Sequence, residues 1–258
     1  MEAKCNYCDF FGEKPHCHNC KLINNFQKTP SQIEMTLEEF IAKVDAKDLD
    51  SFAIGDFMSI NLITGEKIRF YIIGKEHDTI SGTNEKASLT LQFESLDGYF
   101  QMNEEDTNQG GYMASKMNTR MSYFYNLLPD VLKNALKQVD KMCYDRDLGL
   151  IKHSCKIFLP SASEISNDSS NYSVKEEGEL YEFYENKAAY RSIYRNGNYN
   201  WTRSIRKGYS SYFVVVESDG TLTTAAMPTL RMASPPLAQS RNLENNQRRQ
   251  VLKGDKHG

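Results

Sequence analysis

Four cysteines near the N-terminus constrain the fold of their segment more tightly than any other residues of the 258-residue chain. Cys5 and Cys8 form one Cys-x2-Cys pair, and Cys17 and Cys20 form a second pair after eight intervening residues. Four thiolates at this spacing can close a tetrahedral shell around Zn²⁺ and leave no open position for catalysis. A segment this short cannot bury an apolar core, so metal binding would supply most of its folding energy, on the order of 10 kcal/mol. The sequence therefore predicts a structural zinc finger over residues 1–26.

Composition and charge narrow the classes of protein to consider. The chain is 40% hydrophobic and 25% charged, as is typical of a soluble domain, and its net charge of −3 predicts no bulk attraction to nucleic acid or to a membrane surface. No apolar run approaches the ~18 residues that a membrane span needs. The N-terminus lacks the basic-then-apolar pattern of a signal peptide. We therefore expect a cytoplasmic protein or a phage-particle protein, and the oligomeric state stays open.

Apolar residues at helical spacing predict three helices. The first follows a capping box at Thr36 and Glu39 and runs to about Lys47, within a linker segment over 27–54. The second follows Gly111, and the third begins at Pro129, where proline suits a first turn. The apolar stripe of the second helix comprises Met113, Met117, Met121, Phe124 and Leu128, and that of the third comprises Val131, Leu132, Ala135, Leu136 and Val139.

Alternating and β-branched residues predict strands elsewhere. They cover residues 57–63, 67–74, 88–94, 157–159, 212–217 and 221–226. Asp219 and Gly220 between the last two strands suit a type I′ hairpin turn. Cys143 and Cys155 are interpreted as free thiols, and residues 239–258 form a polar, basic segment that we expect to be disordered.

Two adjacent segments of opposite charge raise the question of nucleic-acid binding. Residues 164–185 carry seven acidic residues and one lysine, whereas residues 186–209 carry six basic residues, no acidic ones and five aromatic rings. Basic residues interleaved with aromatics can hold phosphates and stack bases. The preferred interpretation is that the two segments neutralise each other, with nucleic-acid binding kept as the alternative.

Five motifs in order between Gly55 and Pro236 resemble a widespread, uncharacterised domain family of bacteria and their phages. They are Gln109-Gly-Gly-Tyr-Met-Ala-Ser-Lys-Met-Asn118, Phe124-Tyr-Asn-Leu-Leu-Pro-Asp-Val-Leu-Lys133, Lys156-Ile-Phe-Leu-Pro-Ser-Ala-Ser-Glu164, Gly178-Glu-Leu-Tyr-Glu-Phe-Tyr184, and Trp201-Thr-Arg-Ser204 with Asp219-Gly220. The chain departs from the family pattern at Ile205, where a proline is usual, and at Ser234-Pro-Pro236.

The resemblance implies an α+β fold. The family looks like a C-type-lectin-like fold, akin to sulfatase-modifying-factor domains and to variable proteins diversified by retroelements. It implies a mixed sheet with two helices over residues 55–238 and a ligand face built from the C-terminal loops and strands. The zinc finger lies outside the resemblance.

The C-terminal face is rich in Tyr, Ser, Asn and Arg, the side chains that binding loops favour. The candidate binding residues are Asn198, Tyr199, Trp201, Arg203, Arg206, Tyr209, Ser211 and Tyr212. Trp201 and Arg203 are the two we interpret first as framework, since motif positions usually hold a scaffold. The predicted function is non-enzymatic recognition of a protein or glycan.

An enzyme like the sulfatase-modifying factors is the weaker alternative. Such chemistry needs a reactive cysteine pair or a three-histidine iron site. After residue 20 the histidines are His77, His153 and His257, with no two close in sequence, and Cys143 and Cys155 precede the C-terminal segment.

Overall fold

The computed structural model describes residues 31–94, 99–167, 175–185, 199–217, 221–226 and 232–233. Four predictions lie outside these ranges: the four cysteines of the predicted zinc finger, Asn198, the turn at Asp219 and Gly220, and the tail over 239–258. The described chain combines short helices with largely antiparallel sheets.

Three strands form the first sheet. These are β1 (Phe57–Asn61), β2 (Lys67–Lys75) and β3 (Leu89–Phe93), antiparallel in the order β1-β2-β3. The pairing of β2 with β3 shifts by one residue between Ile72 and Gly74, which places a bulge in β2. The predicted strands over 57–63, 67–74 and 88–94 therefore form, with the first ending two residues early.

The predicted first helix also forms and packs on this sheet. Helix α1 (Leu37–Asp45) begins at a complete capping box in which Thr36 accepts from the Glu39 N–H and Glu39 accepts from the Thr36 N–H. The buried Phe40 ring lies 5.1 Å from the ring of Phe52 and 5.4 Å from that of Phe70, between centroids. Helix α1, the amphipathic helix of the 27–54 segment, thus packs against the core.

The second and third helices differ from their predicted bounds. Helix α2 (Lys116–Leu127) is capped by Ser115, and α3 (Asp130–Ala135) follows Pro129 directly. Leu128 is extended because the residue before a proline avoids the helical region. The prediction that α3 reaches Val139 is wrong: the chain is extended at Leu136, and Val139 begins a strand.

That strand belongs to a hairpin that the sequence did not predict. Strands β5 (Val139–Asp145) and β6 (Gly149–Cys155) pair along their full lengths, with Val139 opposite Cys155 and Asp145 opposite Gly149. Residues 156–161 follow without strand pairing, so the predicted strand over 157–159 is wrong. Two further short helices are α4 (Ala162–Ile165) and α5 (Glu182–Glu185).

The second sheet is mixed and contains the C-terminal strands. It consists of β4 (Tyr99–Phe100), β7 (Asn200–Ile205), β8 (Tyr212–Val216), β9 (Leu222–Ala226) and β10 (Met232–Ala233), in the order β4-β10-β7-β8-β9. Strand β10 runs parallel to β7, and the other neighbours are antiparallel. One continuous buried cluster joins both sheets to α2 through residues such as Phe70, Phe124 and Phe213.

Two features are absent from the ranges that the structure covers. No helix in them is long and apolar enough to cross a membrane. They also hold no group of three or more His, Cys, Asp or Glu side chains placed to hold a metal ion.

The Gly-Gly motif marks a close approach between the loop before α2 and β5. Gly111 has φ of +58°, and a Cβ there would lie 2.9 Å from the Tyr144 carbonyl oxygen, whereas Gly65 has φ of +86° with open space around it. We predict that Gly65→Ala costs about 1 kcal/mol for the positive φ alone. Gly111→Ala should cost at least about 1 kcal/mol more, because backbone must move. Denaturant unfolding checks the difference, and equal costs would contradict the close approach.

Candidate functional site

Three of the predicted binding residues meet on the surface after β7. The guanidinium carbon of Arg206 lies 4.2 Å from the ring centroid of Tyr209, and the rings of Tyr209 and Tyr212 are 5.0 Å apart at an interplanar angle of 59°. Arg206 also donates from Nη1 to Thr224 Oγ1 at 3.1 Å. Ser211 lies half-buried in the same loop. We call Arg206, Tyr209, Ser211 and Tyr212 the tyrosine face.

The backbone beneath the tyrosine face is held by one buried side chain. Asn108 Nδ2 donates to the carbonyl oxygens of Tyr209, at 2.7 Å, and Tyr212, at 3.2 Å, while the Asn108 N–H donates to the Ser210 carbonyl at 2.9 Å. The Arg206 N–H donates to the Tyr212 carbonyl at 3.0 Å and closes the loop. These bonds fix the loop before any ligand arrives, which lowers the entropy that binding would cost.

Tyr199 does not join the tyrosine face. Its side chain is 46% exposed, but Asn200 beside it pairs with Val216, whereas Ile205 at the other end of β7 pairs with Phe213. Tyr199 and the tyrosine face therefore lie at opposite ends of β8, which is five residues or roughly 17 Å long. Asn198, the remaining loop residue of the prediction, lies outside the described residues.

Trp201 and Arg203 lie in the interior. Trp201 is 1% exposed, donates from Nε1 to the Phe100 carbonyl at 2.8 Å, and meets the Phe213 ring edge-on at 6.2 Å. Arg203 is 0% exposed. Neither side chain has surface with which to touch a ligand in this structure, so both act as framework for the strand that ends at the tyrosine face.

Arg203 lies at the centre of a buried ionic network. Its guanidinium donates to both carboxylate oxygens of Glu164, from Nη1 at 2.5 Å and from Nη2 at 2.9 Å. It also donates to the carbonyl oxygens of Met142, Leu159 and Glu177. All five N–H groups of an arginine can donate, and this one is surrounded by acceptors.

A lysine extends the network toward the first sheet. Lys141 Nζ donates to Glu164 Oε1 at 2.7 Å, to the Tyr181 hydroxyl at 2.7 Å, and to Asp78 Oδ1. The Tyr181 hydroxyl donates to Asp78, and so does the hydroxyl of Thr90. The two cations and the two carboxylates are all at least nine-tenths buried. Their charges balance, as buried charges must.

The two glutamates near Arg203 differ in their acidity. Burial raises the pKa of Glu164, but the charges of Arg203 and Lys141 outweigh that effect and hold this pKa at about 2. Burial raises the pKa of Glu177 to about 7, because the Arg203 charge and the hydrogen bond from Ser204 offset only part of it. Glu164 is therefore ionised throughout the neutral range, whereas Glu177 titrates within it.

The network also explains one glycine of the fourth motif. A Cβ on Gly178 would lie 2.6 Å from Cγ and Oε1 of Glu164. The Glu164 side chain cannot turn aside without breaking its bonds to Arg203 and Lys141. The third, fourth and fifth motifs thus meet in space, because they supply Glu164, Tyr181 and Arg203 respectively. The second motif joins them through Tyr125, whose hydroxyl accepts from Lys156 of the third motif.

The sequence did not predict this network, and its acidic residues were not identified as a group. Lys141 lies between Val139 and Cys143 on the buried side of β5, and this alternation of one charge among apolar residues is the signal that could have revealed it. The box of Ser161 and Glu164 is a second signal, because it places that glutamate at a helix start. Asp78 has no comparable signal in its own neighbourhood.

The two cysteines of the hairpin have the properties of structural thiols. Cys143 is buried, Cys155 is half-buried, and neither forms a disulfide. Burial raises the pKa of Cys143 to about 11 and that of Cys155 to about 12. Both thiols therefore stay protonated at neutral pH, where a nucleophilic cysteine needs its thiolate.

Glu177 should make stability depend on pH. Its folded pKa of about 7 exceeds its ordinary value of 4.5, so its contribution is fully present below pH 4.5 and is lost as pH rises through 7. Relative to Glu177→Gln, we expect wild-type protein to lose on the order of 3 kcal/mol of unfolding free energy between these limits. Urea unfolding across this pH range measures the loss. Glu179→Gln, at an exposed neighbour, should keep the wild-type profile, and parallel profiles for all three proteins would contradict the assignment.

A known protein family matches more than half of this chain. Its model, that of DUF6273, a domain of unknown function, covers residues 86–235, more than half of the 258 residues. All five motifs fall inside that range, so the resemblance to an uncharacterised domain family is confirmed. No curated protein and no solved structure matches the chain. The chain belongs to the DUF6273 family of domains of unknown function.

Proposed function

We propose that this protein is a ligand-recognition module that binds a protein or glycan through the tyrosine face. The observation that carries the proposal is the Arg206 guanidinium over the Tyr209 ring and the tilted contact of that ring with Tyr212, on a loop held by Asn108. Rigid tyrosines and an arginine supply large contact area at a low entropic cost, which is why binding surfaces concentrate them.

The charge of Arg206 supports a ligand with acceptor groups. Among the described residues no carboxylate pairs with its guanidinium, whose one hydrogen bond there goes to the Thr224 hydroxyl. The neighbouring Lys207 is exposed and adds a second positive charge. A ligand that places acceptor oxygens beside a flat or apolar surface would use both the guanidinium and the rings.

The proposal extends to the fold and the cellular setting. A C-type-lectin-like scaffold is supported by the mixed second sheet, with β10 parallel to β7, and by the position of the tyrosine face among the C-terminal strands. We propose a cytoplasmic or phage-particle protein that acts by binding rather than by catalysis. The protonated thiols of Cys143 and Cys155 support binding rather than cysteine-based catalysis.

A glycan and protein array, probed with the full chain, tests the recognition proposal. Against the best array ligand, Tyr209→Ala, Tyr212→Ala and Arg206→Ala should each raise the Kd about tenfold, because each removes a central contact. Tyr123→Ala is the matched control, since Tyr123 lies on α2 and is 42% exposed against 43% for Tyr209. Unchanged Kd values for all three variants would show that the ligand binds elsewhere.

A further variant and a nucleic-acid binding assay distinguish the remaining alternatives. Tyr199→Ala should leave the Kd unchanged if the tyrosine face acts alone, because Tyr199 lies at the other end of β7. Labelled DNA and RNA at about 50 mM salt test the alternative ligand class, whose affinity falls steeply with salt. A salt-dependent shift of either, with no protein or glycan ligand on the array, would overturn the proposal in favour of nucleic-acid binding.

We also propose that Cys5, Cys8, Cys17 and Cys20 hold a structural zinc ion. The support is their spacing, two Cys-x2-Cys pairs within sixteen residues. Protein purified without added metal should contain about one zinc per chain, and a chelator should unfold the finger segment alone. Metal analysis with Cys5→Ser/Cys8→Ser as the control measures this. Fewer than about 0.5 zinc per wild-type chain would reject the site.

A further inference from the structure

A cleft of about 350 Å³ runs along strand β3. All five residues of the strand, Leu89–Phe93, line it. Successive side chains of a strand point to opposite faces of its sheet. A cleft that touches every one of them must therefore follow the edge of the strand rather than either face.

Among the described residues, the edge of β3 in this cleft has no strand partner. In the described part of the chain β3 is the last strand of its sheet and pairs with β2 alone. The Glu94 N–H donates to Arg69 and the Ser88 carbonyl accepts from Glu76, so residues 88 and 94 face β2. By alternation the N–H and C=O groups of Leu89, Leu91 and Phe93 face the cleft. Of these, the Phe93 carbonyl accepts from its neighbour Gln92.

Part of the cleft wall is apolar. Ile41 and Val44 of α1, Leu136 after α3, and Ile157 all line the cleft, and each is only partly buried. An extended segment lying beside β3 would turn every second side chain toward the face of the first sheet on which α1 packs. The cleft thus combines backbone groups of β3 that have no strand partner among the described residues with apolar contacts, the two elements by which a sheet edge captures a peptide.

The rim of the cleft is basic, although the chain as a whole carries a charge of −3. Lys47, Lys86, Lys137 and Lys156 line it, together with the acidic residues Asp45, Asp78 and Glu85. Asp78 is buried and paired with Lys141, which leaves Asp45 and Glu85 against the four lysines. Lys47 and Lys137 are exposed and form no ion pair within the described ranges. An occupant with acidic side chains complements this rim.

We propose that the cleft binds an extended acidic peptide segment of a partner protein, which adds to the sheet as a fourth strand beside β3. The segment pairs its backbone with Leu89, Leu91 and Phe93, turns apolar side chains toward Ile41 and Leu136, and places carboxylates near the lysines. This site is separate from the tyrosine face and does not depend on the function proposed for it.

Three fluorescent hexapeptides test the proposal with the full chain. They alternate valine with glutamate, with serine or with lysine. Anisotropy titration should give the lowest Kd for the glutamate peptide, with the lysine peptide weaker by about tenfold or more. A glutamate peptide N-methylated at every residue keeps its side chains but has no amide donors, and it should not bind. Equal affinity for the three peptides, or no binding of any up to about 1 mM, overturns the proposal.

Amide hydrogen exchange locates the bound peptide. Saturation with the glutamate peptide should slow exchange at Leu89, Leu91 and Phe93, because each gains a backbone partner. Protection confined to β9, the edge strand of the second sheet, would overturn the assignment to β3.

Charge-reversal variants test the rim. Lys47→Glu combined with Lys137→Glu should raise the Kd of the glutamate peptide about tenfold and lower that of the lysine peptide. Lys67→Glu, an exposed lysine on β2 outside the cleft, is the matched control and should change neither Kd. A double variant that binds both peptides like wild type overturns the role of the basic rim.

Discussion

The buried pair of Arg203 and Glu164 is the interaction on which the rest of this structure depends. An arginine with no exposed surface is stable only if acceptors surround it, and Glu164 with three backbone carbonyls provides them. Removing one partner of such a pair typically costs about 3–5 kcal/mol, because the other charge is left buried and unpaired. Through Lys141 the pair reaches Asp78, so the network fastens β7 and the β5–β6 hairpin to the end of the first sheet.

The network explains why two arginines of one short segment differ, one buried and one at the surface. Arg203 anchors β7 in the interior, and Arg206, just past the strand, emerges at the surface on the ring of Tyr209. With β7 fixed by the network and the following loop fixed by Asn108, the tyrosine face has little freedom to rearrange. Rigid support beneath an exposed aromatic cluster is what a recognition surface needs, since flexibility there would be lost on binding.

The sequence predicted local elements well and spatial relationships poorly. The capping box at Thr36 and the strands of the first sheet follow from patterns within a few residues. The β5–β6 hairpin did not, because Lys141 interrupts its apolar alternation and resembles a solvent-exposed position. The same charge is buried because Asp78 and Glu164, distant in sequence, neutralise it. Likewise, Tyr199 is close to Arg206 in sequence and lies at the far end of β7, a separation that only the strand pairing reveals.

The family match begins at residue 86, but the folding unit begins earlier. That boundary falls just before β3 and would separate this strand from β2, with which it pairs from Leu89 to Phe93. Phe70 and Ile72 of β2 are completely buried. Asp78, which lies outside the matched range, neutralises Lys141, which lies inside it. A segment over 86–235 alone would expose the inner edge of β3 and leave the Lys141 charge short of a partner, both of which destabilise a fold. The first two strands are therefore part of the same physical domain as the matched residues.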